Sequence, residues 1–161
     1  MIDSNHSNYL IRKAEIKDLI TIEELLRETG WFDHINNETP QQTLFQLQLK
    51  FKNLQKDPSQ EIFIAEKNGK AEGYIIIHWM TYFILPGPEG YISDLFVKEN
   101  ERGQGIGSAL LNKVKKEAQK KHCYRLNLLN NRNRISYLKG FYKKNGFEER
   151  DKMANFIQIL F

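Results

Sequence analysis

Arg102-Gly-Gln-Gly-Ile-Gly107 lies between a β-branched and aromatic run, Tyr91 to Val97, and a helical pattern that starts at Ser108. Glycines let backbone N–H groups come close to a phosphate. A helix start adds unpaired donors and the positive end of a dipole. The stretch Arg102, Gly103, Gln104, Gly105, Ile106, Gly107 and Ser108 is therefore an expected anion cradle. Spacing narrows the ligand. A Walker loop needs Gly-x-x-x-x-Gly-Lys-Ser/Thr, and no Lys-Ser or Lys-Thr follows Gly107. The dinucleotide fingerprint needs Gly-x-Gly-x-x-Gly, whereas Gly103, Gly105 and Gly107 alternate. The pattern that fits is Arg/Gln-x-x-Gly-x-Gly/Ala, met by Arg102, Gly105 and Gly107. Asp94, just before this loop, is a carboxylate able to take a proton, polarise a water, or hold the strand–loop geometry. No His/Cys/Asp cluster has metal-ligand spacing, so no metal is expected.

These residues need elements to position them. Tyr9 to Arg12 reads as a strand. Ala14-Glu15 opens a helix with Leu19, Ile22, Leu25 and Leu26 at helical spacing, closed by Gly30. Trp31-Phe32-Asp33-His34 follows as a connection. Thr39-Pro40 starts a second helix, with Leu44, Leu47 and Phe51 on one face. Glu61–Glu66 and Ala71–Met80 are strands joined at Asn68-Gly69, the strongest short hairpin signal. Leu85 to Gly90 reads as a loop, which places Glu89 in it. Beyond the glycine loop come a helix, a strand from Tyr124 to Asn130, and a helix from Ile135 to Lys144 stopped at Asn145-Gly146. Two strands follow, one from Phe147 and one over Phe156 to Leu160.

The chain has 161 residues, 40% of them apolar, enough for one domain with a real core. Residues 1–8 read as a polar tail without a signal peptide's apolar segment, and residues 9–161 as a single domain. No run is long enough to span a membrane. Cys123 is the single cysteine, which fits a reducing cytoplasm, and burial is its expected role. The formal charge is +4, with the excess gathered after Arg102. An anionic cofactor accounts for it without nucleic acid, because the lysines between Lys113 and Lys121 follow the solvent side of a helix. Neither nucleic acid nor membrane is an expected partner, and a monomer or homodimer is.

The glycine pattern, preceded by Asp-Leu-Phe-Val and followed by Ser-Ala-Leu-Leu, resembles the coenzyme A pyrophosphate loop of the GNAT superfamily of N-acetyltransferases. A second motif, Tyr142 to Gly146-Phe147, is similar to the family's Tyr-x-x-x-Gly-Phe. The resemblance covers nearly the whole chain. It implies an α/β (α+β) fold with a central mixed, mostly antiparallel sheet, a splayed strand pair and about four flanking helices. It implies acetyl transfer from acetyl-coenzyme A to a primary amine of a small molecule or peptide, by direct attack through a tetrahedral intermediate. The alternative is a non-catalytic acyl-coenzyme A sensor on the same fold.

The resemblance also implies residue roles. Leu95, Phe96 and Val97 would face the cofactor's arm and supply an oxyanion donor from their backbone, with a β-bulge opening the slot. Tyr142 would protonate the leaving thiolate, and Asn130 would touch the cofactor. The acceptor would meet Trp31, Phe32 and Glu89. Many relatives carry a glutamate beside the aspartate or two residues before it, where this chain has Ser93 and Tyr91. Asp94, Glu89 and a held water thus share the candidacy for the base, with His78 and His34 behind them.

Overall fold

The computed structural model describes residues 9–160. The expected polar tail, residues 1–8, lies outside the described residues. They fall into two compact units, one ending at Leu129 and one beginning at Asn130.

The first unit is built on a five-stranded sheet in simple order, β1 to β5. The strands are β1 Leu10–Lys13, β2 Gln60–Lys67, β3 Lys70–Met80, β4 Glu89–Val97 and β5 Arg125–Leu128. The first four pair antiparallel, and β5 joins β4 in parallel. The helices are α1 Leu19–Glu28, α2 Asp33–Asn37, α3 Pro40–Leu54 and α4 Ile106–Lys120. Short 3-10 turns, Ile16–Asp18 and Glu99–Glu101, precede α1 and the glycine loop.

Local chemistry accounts for the boundaries. Asn68 and Gly69 both take positive φ, 51° and 76°, which a tight two-residue hairpin requires. Thr39 caps α3: its hydroxyl accepts from the Gln42 N–H, the Gln42 side chain accepts from the Thr39 N–H, and Pro40 fills the first turn. Arg12 ties β1 to the start of α1 by donating to both Asp18 carboxylate oxygens at 2.7 and 2.8 Å, and to Glu66.

The alternation of the strands divides the core. Tyr74 packs with Leu19, Ile22, Leu25 and Phe51 of α1 and α3, joined by Ile76 and Phe96. Ile75 and Ile77 are fully buried on the opposite parity, and Lys113 of α4 sits over the Phe63 ring at 5.1 Å. One sheet face thus carries α1 and α3, the other α4.

Two irregularities in β4 shape the space beside the glycine loop. Ile76 pairs with Asp94, but Ile77 pairs with Ile92, so Ser93 is an extra residue in a β-bulge. The β4–β5 pairing runs from Glu89↔Arg125 to Ile92↔Leu128 and goes no further, so Ser93 to Val97 leave their neighbour. This is the splayed pair, and the sheet is mixed as expected.

The second unit holds α5 Ile135–Leu138 and α6 Phe141–Lys144. A single helix over 135–144 was expected. It is broken at Gly140, whose φ of 63° is left-handed. The two expected final strands are not formed: residues 147–160 carry no strand, and Phe156, Ile157, Ile159 and Leu160 are exposed. Strand propensity is realised only against a partner edge, and the isolated pattern carries no information about one.

Candidate active site

The cradle forms as the glycine pattern demands. Gly103 and Gly105 have φ of 80° and 87°, values that side chains rarely adopt. Gly105 is the N-cap of α4, and Gly107 sits in its first turn. Ala109 N–H bonds to Gly105 O at 3.0 Å, closing the first helical turn. The earlier N–H groups, of Ile106, Gly107 and Ser108, are those that helix geometry leaves open, at the positive end of a fifteen-residue helix. A Cβ at Gly103 would meet nothing within 4 Å, so that side of the loop is open.

Side chains hold the loop in place. Arg102 Nε donates to Val97 O at 3.0 Å, fastening the loop to the end of β4. Lys67, at the β2–β3 hairpin, donates to Glu101 at 2.8 Å and to the Gln104 side chain at 3.3 Å. Gln104 therefore points its side-chain oxygen at the hairpin.

Past the bulge, β4 presents Asp94 and Phe96 on the α1/α3 face. Phe96 is the centre of an aromatic cluster, with ring centroids 5.8 Å from Trp31, 6.5 Å from Phe32 and 5.5 Å from Tyr74. Two of the three residues expected to meet the acceptor, Trp31 and Phe32, thus converge on the strand that carries Asp94. Asp94 is half-buried, and that burial pushes its carboxyl up from the usual carboxylate range; Ser93, His78 and Lys50 pull the other way. Ser93 Oγ donates to Asp94 Oδ2 at 2.6 Å, and His78 Nε2 lies 2.9 Å from Ser93 Oγ.

Glu89 requires a correction. It lies not in a loop but at the start of β4, 1% exposed, with its carboxylate engaged by Arg125 Nε. An acceptor amine would have to displace Arg125 to reach it. Arg125→Ala should strand a buried charge. It should destabilise by about 2–3 kcal/mol, below the ~3–5 kcal/mol of a fully buried pair, because the Arg125 side chain is 38% exposed. Urea unfolding at neutral pH checks this, and Arg125→Ala with Glu89→Gln should recover much of the loss.

In the second unit, Tyr142 packs edge-on against Phe141 and Phe147, centroids 5.0 and 5.9 Å away. Burial pushes its phenol up, with Arg134 opposing, so the hydroxyl keeps its proton at neutral pH. Asn130 accepts from Ser136 Oγ at 3.1 Å, while its amide nitrogen is buried with no partner. An orphaned buried donor costs about 1–3 kcal/mol, which an acceptor atom on a ligand removes. Gly146 closes α6 with φ of 80°. Cys123 is half-buried and its thiol is pushed up by burial, which disfavours a thiolate nucleophile. His34 meets Phe32 edge-on, the ring centroids 6.3 Å apart.

An open glycine cradle at a helix start and a strand leaving its neighbour beside it are features that coenzyme A fits: phosphates for the N–H groups and amides for the strand edge. The acetyltransferase (GNAT) family profile matches residues 22–147, and the chain belongs to that family. It is an enzyme of the GNAT N-acetyltransferase type, and the family uses acetyl-coenzyme A as donor.

Among relatives, the chain is 31% identical to an uncharacterized N-acetyltransferase of Methanocaldococcus jannaschii over 68% of this chain and 49% of that protein. It therefore spans about half of that relative's length. It is 28% identical to the thialysine N-epsilon-acetyltransferase of Bos taurus, over 74% of this chain and 72% of that one. The crystal structure of a transcriptional regulator from Bacillus halodurans superposes with a TM-score of 0.82 at 22% identity, covering 95% and 99% of the two chains, which speaks to fold alone. Among the described residues, no helix is long and apolar enough to cross a membrane.

Sequence reasoning missed the partners of Asp94. Ser93 and His78 are fifteen residues apart, and strict alternation puts Ser93 and Asp94 on opposite faces. The signal available was the polar Ser-Asp pair inside an otherwise apolar strand.

Proposed function

We propose that this chain moves an acetyl group from acetyl-coenzyme A to the primary amine of an alkylamine, carried by a small molecule or a peptide. The observation that carries this reading is Asp94, half-buried on the strand whose next residue on that face, Phe96, anchors Trp31 and Phe32. An ammonium group is attracted by a carboxylate and by aromatic faces, and its alkyl stem packs on the rings. The name of the bovine relative, a thialysine acetyltransferase, supports an amine at the end of such a stem.

When bound, acetyl-coenzyme A supplies an acetyl group activated as a thioester. The N–H groups from Gly103 to Ser108, with Arg102, hold its phosphates, and Asn130 donates to it. Backbone N–H groups among Leu95, Phe96 and Val97 donate to the reacting carbonyl oxygen. Asp94 takes the proton that the acceptor ammonium must lose before it can attack. Tyr142, its hydroxyl protonated at neutral pH, gives a proton to the leaving sulfur. The two compact units act as one domain, in keeping with a family profile that spans Leu129 and Asn130. A cytoplasmic site of action and a monomer or homodimer belong to the same proposal.

A panel of amines with acetyl-coenzyme A, read by thiol release, tests this. Thialysine, lysine, polyamines and an N-terminal peptide should include at least one acceptor. Binding of acetyl-coenzyme A without thiol release from any amine would favour the sensor instead.

A further inference from the structure

Three residues from two strands form a hydrogen-bonded line, and two of them, Ser93 and His78, have no part in the transfer scheme. Asp94 Oδ2 accepts from Ser93 Oγ at 2.6 Å, and Ser93 Oγ lies 2.9 Å from His78 Nε2. The serine has one hydrogen, and it points to Asp94. The histidine contact is therefore a hydrogen bond when His78 carries a proton on Nε2. Donation runs one way along the line, from imidazole to hydroxyl to carboxylate.

The bulge makes the line possible. On a regular strand the side chains of Ser93 and Asp94 would point to opposite faces. The extra residue at Ser93 re-aims the strand, so that neighbours in sequence meet through their side chains. His78 stands across from Tyr91, the ring centroids 6.3 Å apart, which holds the imidazole at the edge of the bulge.

We propose that Ser93 and His78 are positioning residues of the transfer: the line fixes the Asp94 carboxylate with Oδ2 held and Oδ1 left for the acceptor's ammonium. This rests on the reading of Asp94 as the base. A carboxylate that rotates freely offers each oxygen in turn and samples many poses, whereas one pinned through Oδ2 offers a single oxygen in one direction. The line has a second effect. Burial favours the protonated acid, which is useless as a base, and a hydrogen bond donated to the anion favours the ionised form. Among the described residues, charged and titratable groups on three elements act on Asp94. His78 and Tyr74 come from β3, Tyr91 from β4 and Lys50 from α3. His78 and Lys50 favour the anion, while burial, and then the anion itself, disfavour ionisation of the two tyrosines, so neither phenol competes as a base.

The experiment follows the Asp94 carboxyl by ¹³C NMR titration, beside pH–rate profiles with one alkylamine acceptor. Ser93→Ala should raise the Asp94 titration midpoint by roughly one pH unit, a tenfold gain in proton affinity, and move the acid limb of kcat/KM upward with it. Ser93→Thr should restore both, because it returns the hydroxyl. His78→Gln keeps a donor for Ser93 but no cationic form, and should fall between Ser93→Ala and wild type. A midpoint unmoved in Ser93→Ala, with acetyl-coenzyme A still raising the melting temperature, overturns the proposal. The titration needs no turnover. A moved midpoint beside an inactive wild type leaves this line standing and removes the proposed reaction instead.

Discussion

Asp94→Asn should lower kcat/KM for an alkylamine by about 10²- to 10⁴-fold at neutral pH, the range for loss of a general base. The amide keeps the size of the carboxylate and an oxygen to accept from Ser93. What disappears is the capacity to take a proton. An alkylammonium with a reference pKa of about 10.4 is almost wholly protonated at pH 7. Activity of the variant should therefore climb with pH as free amine becomes available, and the gap to wild type should narrow.

Stability moves in the other direction. Burial raises the folded-state pKa of Asp94, so the folded protein binds the proton more tightly than the unfolded chain does. The contribution of Asp94 to stability is then greatest at low pH and falls as pH rises through the window between the ordinary carboxylate value and the raised one. The asparagine carries no such burden, and its melting temperature at pH 7 should equal or exceed that of wild type. Parallel pH–rate profiles of the two proteins would remove Asp94 as the base.

Gly105→Val should abolish the rise in melting temperature that acetyl-coenzyme A gives the wild type, an effect of mass action on the folded state. Gly105 combines a φ of 87° with the N-cap position of α4. A β-branched residue there is strained, and its Cβ would lie 3.1 Å from the Tyr9 hydroxyl. Relief of either conflict turns the loop's N–H groups away from the phosphates. Gly103→Ala is the graded control. Its Cβ meets no atom within 4 Å, so only the φ of 80° resists it, and partial retention of the shift is expected. A full shift in Gly105→Val would place the cofactor elsewhere.

The elements most legible in the sequence were those whose residues answer a local demand. Asn68-Gly69 meets the positive φ of a hairpin, Thr39 and Pro40 start a helix, and Gly103 and Gly105 permit a left-handed loop. Each is decided within a few residues. What the sequence hid depends on neighbours far along the chain. Glu89 read as a loop acid because nothing nearby announces Arg125, thirty-six residues on. Phe156 to Leu160 has the apolar and β-branched content of a strand, yet content does not provide an edge to pair with. Ser93 and His78 were unreadable as partners of Asp94 because the bulge that joins them breaks the rule by which strands are read. Trp31 and Phe32 were legible as aromatics in a connection, but their convergence on Phe96 needed the fold.

The bulge at Ser93 also sets the parity of the strand. Before it, odd-numbered positions such as Tyr91 face α1 and α3; after it, even-numbered ones such as Asp94 and Phe96 do. The strand is two half-strands out of phase, joined by one residue. Were the bulge ironed out with every residue kept, Ser93 would take the place opposite Ile76 and the second half would turn over. Asp94 would then swing beneath α4, and the apolar Leu95 would take its place among the aromatics. Deletion of Ser93, by contrast, brings Asp94 directly after Ile92 and onto the face it now occupies, so it should keep the phase of the strand and lose the hydroxyl that bonds the carboxylate.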